Sequence, residues 1–166
     1  MGDGARYKCS QCGEEYMVCT GRGFLFPMQF EEIQEAVRNG KYGQEWKNLV
    51  CSGKYVSVDA EEYVFVCDNC NHWVVEEDMS VYEPNNPQLL AKRRFGEKTV
   101  EEWGGVPYAT TEDFVEDYHL LKRRIHKCEK CGEEMHIATE NEIDNLPCPC
   151  CGGAKDDKYI SYICWD

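Results

Sequence analysis

Lys127-Cys128-Glu129-Lys130-Cys131-Gly132-Glu133-Glu134 repeats, almost residue for residue, the earlier stretch Lys8-Cys9-Ser10-Gln11-Cys12-Gly13-Glu14-Glu15. The same spacing recurs in Val66-Cys67-Asp68-Asn69-Cys70-Asn71 and in Pro147-Cys148-Pro149-Cys150-Cys151-Gly152-Gly153. Cysteines two residues apart let one tight turn aim both sulfurs at a single ion, and two such turns close a four-thiolate shell. Gly follows the second cysteine in three of these stretches and Asn71 in the fourth. That position needs tolerance of positive φ, where Asn is the next best residue after Gly. The candidate metal ligands are therefore Cys9, Cys12, Cys67, Cys70, Cys128, Cys131, Cys148 and Cys151. The expected fold class is small α+β: two four-cysteine zinc ribbons built on β-hairpin knuckles, the first with a helical insertion, joined by a helix.

The simplest pairing follows chain order, Cys9/Cys12 with Cys67/Cys70 and Cys128/Cys131 with Cys148/Cys151. About 57 residues separate Cys70 from Cys128, so local closure costs less chain entropy than pairing across that gap. Interleaved pairing, as in cross-braced domains, is the alternative. The expected domains are residues 1–84 as a first ribbon with its insertion at about 24–54, a connector at 85–110, and residues 111–166 as a helix plus second ribbon.

Zinc, two per chain, is the expected cofactor, because thiolates are soft ligands and a filled d-shell accepts tetrahedral geometry without penalty. A closed shell leaves no open coordination position, so the expectation is a structural metal and no enzyme. Disulfides are the competing use of twelve cysteines. They need an oxidising compartment, and the opening Met1-Gly2-Asp3-Gly4-Ala5-Arg6-Tyr7 carries no apolar signal region, so a cytoplasmic location and metal are expected. No pair opens an amphipathic helix after a strand, as a redox-active dithiol would. Cys19, Cys51, Cys150 and Cys164 are left over, with Cys150 able to exchange places with Cys151.

The formal net charge is −13, distributed as −8 over residues 1–84, +1 over 85–127 and −6 over 128–166. Each zinc in four thiolates adds a formal −2. Such a surface repels phosphate backbones, which bind through matched Lys and Arg. Nucleic acid remains a possible partner only through the basic middle, Lys92-Arg93-Arg94 and Lys122-Arg123-Arg124. A protein partner is the leading expectation, with Trp46, Trp73, Trp103 and Trp165 as aromatic candidates for an interface. No apolar stretch is long enough to span a membrane.

Between the cysteines, Met28 to Asn39 reads as a helix with Phe30, Ile33 and Val37 on one face and Asn39-Gly40 as its stop. A shorter helix follows with Trp46, Leu49 and Val50 inward. Tyr63 to Val66 and Trp73 to Val75 read as strands flanking a knuckle, and Gln88 to Arg94 as a short helix. Thr110 and Asp113 form a variant capping box for a helix whose stripe, Phe114, Tyr118, Leu121 and Ile125, leads into Cys128. The last strand, Tyr159 to Trp165, is expected to pair with Met135 to Ala138.

Two resemblances accompany this reading. Tyr7-x-Cys9-x-x-Cys12-Gly13-x-x-Tyr16 and Leu146-Pro147-Cys148-Pro149-x-Cys151-Gly152 each resemble one half of a rubredoxin, which implies iron as the minor alternative metal and electron transfer as its use. The whole order of features resembles a family of uncharacterised bacterial double zinc-ribbon proteins: a half-ribbon, Gly21-Arg22-Gly23-Phe24-Leu25-Phe26-Pro27, a helical insert, Cys67-x-x-Cys70, a connector, a second ribbon and Trp165-Asp166. That resemblance implies metal at the eight cysteines and supplies no activity.

Overall fold

A computed structural model describes residues 2–23, 25–53, 55–96, 108–154 and 159–165. Trp103, Gly104-Gly105, Phe24 and Asp166 lie outside them, and the side chains of Cys164 and Trp165 are not described. The fold is a small α+β arrangement of short helices and three antiparallel, three-stranded sheets. No described helix is long and apolar enough to cross a membrane.

The chain divides into two compact units. The knuckle unit holds residues 1–24, 62–77 and 125–166, and the helical unit holds 25–61 and 78–124. These boundaries differ from the expected 1–84, 85–110 and 111–166, because strand pairing gathers distant segments.

In the knuckle unit, β1 (Gly2–Lys8), β2 (Glu15–Thr20) and β9 (Tyr159–Trp165) form one sheet in the order β2-β1-β9. A second sheet, β5-β4-β8, joins β4 (Glu62–Val66), β5 (Trp73–Glu77) and β8 (His136–Ile137). The last strand thus pairs with β1, Gly4 facing Ile163 and Ala5 facing Tyr162, and not with Met135 to Ala138. That segment supplies β8, which pairs with β4 through Phe65↔Ile137 and Val66↔His136. Alternation along β4 sorts its side chains between two small cores. Val64 and Val66 pack with Val18, Trp73 and Leu146, while Tyr63 and Phe65 pack with Cys67, Cys128 and Met135.

The helical unit has a larger apolar core. Helix α1 (Phe26–Arg38) starts two residues before the expected Met28, with Pro27 in its first turn, where a missing N–H costs nothing. Its stripe of Phe26, Phe30, Ile33 and Val37 faces inward, and buried Gln34 donates from Nε2 to Val58 O at 3.0 Å. Helix α2 (Gln44–Val50) follows, and the Trp46 indole N–H donates to Met79 O at 2.7 Å. Helix α3 (Pro87–Phe95) is capped by Asn86, which accepts from Leu89 N. The third sheet orders β3 (Ser57–Val58), β6 (Val81–Pro84) and β7 (Tyr118–Lys122) as β3-β6-β7.

Strand β7 corrects the expected long helix. The capping box of Thr110 and Asp113 is present, but α4 (Thr111–Asp117) ends where the strand begins. Glu116 and Asp117 sit at its C-terminal end without a basic residue in the last turn, an unfavourable match to the helix dipole. The chain then gains backbone pairing with β6, through Glu83↔His119 and Pro84↔Tyr118. Phe114 and Tyr118 are buried as the stripe required, whereas Leu121 and Ile125 are exposed.

Candidate metal centres

All four Cys-x-x-Cys turns share one backbone geometry. The first cysteine's N–H donates to the carbonyl five residues on: Cys9 to Glu14, Cys67 to His72, Cys128 to Glu133 and Cys148 to Gly153, at 2.8–2.9 Å. Its carbonyl accepts from the residue four positions on, namely Gly13, Asn71, Gly132 and Gly152. Those four residues have φ of 77°, 56°, 78° and 69°, the left-handed region anticipated for Gly and Asn. The repeated octapeptides match in detail, since Lys8 pairs with Glu15 and Lys127 with Glu134. In each turn the first cysteine is buried and the second exposed.

The eight sulfurs gather as two quartets, and the pairing is nested. Cys9, Cys12, Cys148 and Cys151 form an outer tetrad, and Cys67, Cys70, Cys128 and Cys131 an inner one. This corrects the chain-order pairing and is not the cross-braced alternative. The cause is the sheet pairing: β9 on β1 brings the fourth turn to the first, and β8 on β4 brings the third to the second. The 57-residue gap is no obstacle, because loop-closure cost grows only logarithmically with length and strand pairing offsets it.

Sγ–Sγ separations are 3.6 Å for Cys9–Cys151 and 3.7 Å for Cys12–Cys148. In the inner tetrad they are 3.4 Å for Cys67–Cys131 and 3.5 Å for Cys70–Cys128. A regular tetrahedron with metal–sulfur bonds of about 2.3 Å has edges of about 3.8 Å, so both quartets fit a tetrathiolate ion. They do not fit disulfides, whose sulfurs lie about 2.0 Å apart, and all eight cysteines are free.

The thiols compete for ionisation. Backbone N–H groups of Cys12 and Gln11 lower Cys9 to about 7. In the inner tetrad the Glu133 N–H, with the Asn69 side chain and Cys67, lowers Cys131 to about 6. Cys12 in the outer tetrad and Cys70 in the inner one then resist losing their protons. A backbone N–H from Glu14 favours the Cys12 thiolate, but burial and its three sulfur neighbours outweigh it and raise the thiol to about 12. Cys70 rises to about 12 against the pull of the His72 N–H, for the same reasons. Four adjacent sulfurs cannot all carry charge without a cation among them.

The surroundings of the tetrads differ. Beside the outer one, Tyr7 stacks on Tyr16 at 5.5 Å, Tyr16 lies 6.0 Å from Trp73, and the Trp73 indole N–H donates to Pro147 O at 2.8 Å. Burial first, then the nearby Cys148 and Cys9, raise the Tyr16 hydroxyl to about 12. Beside the inner one, His126 is buried, stacks on Phe65 at 3.8 Å, and places Nδ1 3.1 Å from Glu76 Oε2. Sequence spacing did not point to Asn69 as a support of the inner site, since it sits inside the turn but has no motif position of its own. His136, flanked by Asp68 at 3.5 Å and Glu142 at 2.9 Å, forms a small exposed polar cluster. Glu142 is already used there, accepting from the N–H and hydroxyl of Thr139 as the capping box of α5 (Glu140–Asp144).

The site defines a class, a small α+β protein with two tetracysteine clusters of zinc-ribbon-like form and no disulfide among the described cysteines. No protein-family model, curated protein or solved structure matches the chain.

Proposed function

We propose that the chain is a zinc-binding protein with two structural sites, working in the cytoplasm as a non-enzymatic module that offers a surface to a protein partner. The observation that carries this reading is the gathering of eight sulfurs as two quartets, each within 4.8 Å and with two contacts between facing turns at 3.4–3.7 Å. Cys9, Cys12, Cys148 and Cys151 would hold one ion, and Cys67, Cys70, Cys128 and Cys131 the other. With four sulfurs each, both shells are full, which suits scaffolding and leaves no position for substrate. Of the aromatic candidates for an interface, Trp46 and Trp73 are spent internally on Met79 and Pro147. Elemental analysis should find two zinc ions per chain, and a folded, metal-free protein would overturn the proposal. Affinity capture from the native host should enrich a partner reproducibly.

A nucleic-acid role draws less support. Arg93 pairs with Asp117 and Glu116, and Lys122 with Glu45 at 3.0 Å, so part of the basic middle is already matched by carboxylates. Salt-dependent binding to DNA or RNA at low ionic strength would restore it.

Iron in the outer tetrad is a second reading with an observation of its own. Nested pairing unites the two rubredoxin-like half-motifs in one site, with Tyr7, Tyr16 and Trp73 beside it. A red protein with thiolate-to-iron absorption, one iron per chain, would favour it over zinc at that site.

A further inference from the structure

One outer turn, Cys148 to Cys151, carries a further cysteine between its two ligands, and neither inner turn does. Cys150 is the residue between Pro149 and Cys151, and it is exposed and free. It lines a groove of about 380 Å³ together with Cys148, Cys151 and Cys70, whose other walls include His72 and Lys130. The same place in the other three turns is taken by Gln11, Asn69 and Lys130, none of which is a thiol. Cys151 is the exposed member of its pair. It is followed by Gly152, which donates to Cys148 O, and by Gly153, which accepts from Cys148 N and lies against the Gln11 side chain.

We propose that Cys150 is a reserve ligand that takes the place of Cys151, so that the outer site exchanges its metal through this groove while the inner site keeps its own. The inference rests on the metal-binding reading of the tetrads. In the exchange, the zinc–sulfur bond to Cys151 breaks and one to Cys150 forms. The proton leaving the Cys150 thiol passes to the released Cys151 sulfur. Zinc remains divalent, the ligand count returns to four, and no oxidant or reductant is consumed. During the changeover the shell is open on the groove side, where an incoming thiol or chelator reaches the ion.

The test compares zinc content and the sulfur-to-cobalt charge-transfer absorption of the cobalt-loaded full chain. Wild type should carry two ions. Cys12→Ser and Cys67→Ser should each carry one, since neither lost sulfur lines the groove with Cys150. Cys151→Ser should still carry two, with cobalt absorption at the wild-type intensity, and the double variant Cys150→Ser/Cys151→Ser should fall to one. Cys150→Ser alone keeps all eight ligands. It should hold two zinc ions but surrender one of them to a chromogenic chelator several-fold more slowly than wild type. That measurement carries the test if Cys151→Ser does not fold. Two ions in wild type with one in Cys151→Ser, or unchanged transfer kinetics in Cys150→Ser, overturns this inference and leaves the proposed function standing. No metal in wild type overturns both.

Discussion

The helical unit is held by carbon and the knuckle unit by sulfur. In the first, fifteen buried residues, from Phe26 on α1 to Tyr118 at the start of β7, form one continuous apolar cluster. In the second, the apolar residues divide into two small clusters on opposite faces of β4. Cores of that size stabilise little by themselves. Four turns with the same hydrogen bonds instead aim sulfurs at two points, where the proposed ions would supply the missing stabilisation. The difference teaches that one chain can use two sources of stability in two units, and that these should respond to different insults.

Chelation should break the comparison most forcefully. Structural zinc contributes about 10–16 kcal/mol of apparent binding energy in small domains at neutral pH. A strong chelator should therefore abolish hydrogen-exchange protection across residues 2–23, 62–77 and 125–154 while sparing 26–60. Protection that survives metal removal in the knuckle unit would mean its thin cores suffice. Conversely, Phe30→Ala removes a ring from a residue only 3% exposed in the helical unit, at a cost of about 3–5 kcal/mol. The denaturation midpoint of that unit should drop while zinc stays at two per chain. Loss of zinc in this variant would show that the units fold as one.

Acid should separate them next. Without metal, Cys12 and Cys70 at about 12, and Cys151, also raised, hold their protons at pH 7.5. The hydrogen bonds to Cys151 from Cys9 and Cys148 act against the favourable Gly153 N–H. Filling the sites ionises these thiols and expels protons, so affinity rises with pH, roughly tenfold per unit for each proton released. Below about 6 even Cys131 becomes protonated without metal, so affinity falls most steeply there and both sites should empty as the pH drops further. Calorimetry in buffers of different ionisation enthalpy counts the protons; uptake without proton release would contradict the thiol assignment. The apolar core of the helical unit has no such linkage between pH 8 and 6.

The same contrast explains what could be read in advance. A knuckle is local: two cysteines, a residue tolerant of positive φ, and hydrogen bonds spanning six residues, so the clustered cysteines and their turns were legible. Which turn joins which is decided by β9 on β1 and β8 on β4, pairings between segments far apart in sequence. The repeated octapeptides could not decide it, because their likeness marks equivalent turns and says nothing of which turns share a site. Residues 111–127 failed for a related reason. Phe114, Tyr118, Leu121 and Ile125 satisfy a helical period, yet Tyr118 to Lys122 pairs with β6, and strand formation depends on neighbours that a helical pattern does not reveal.

The finest test uses a motif that both units share. Thr110 caps α4 in the helical unit and Thr139 caps α5 in the knuckle unit, each with the reciprocal bond from the third helical residue. Thr110 is only 8% exposed, and its segment adjoins buried Ala109 and Phe114. Thr110→Ala should therefore lower the stability of its unit by about 1 kcal/mol, the usual cost of losing an N-cap. Thr139 is exposed, and α5 buries none of its residues. Its loss should cost about 0.5 kcal/mol, at the peptide end of the range, too little to show while metal holds the unit closed. With zinc in place, release of the ions limits unfolding, so Thr139→Ala and wild type should unfold at the same rate. A faster metal-loaded Thr139→Ala would mean that this cap, and not sulfur alone, helps hold the knuckle unit closed.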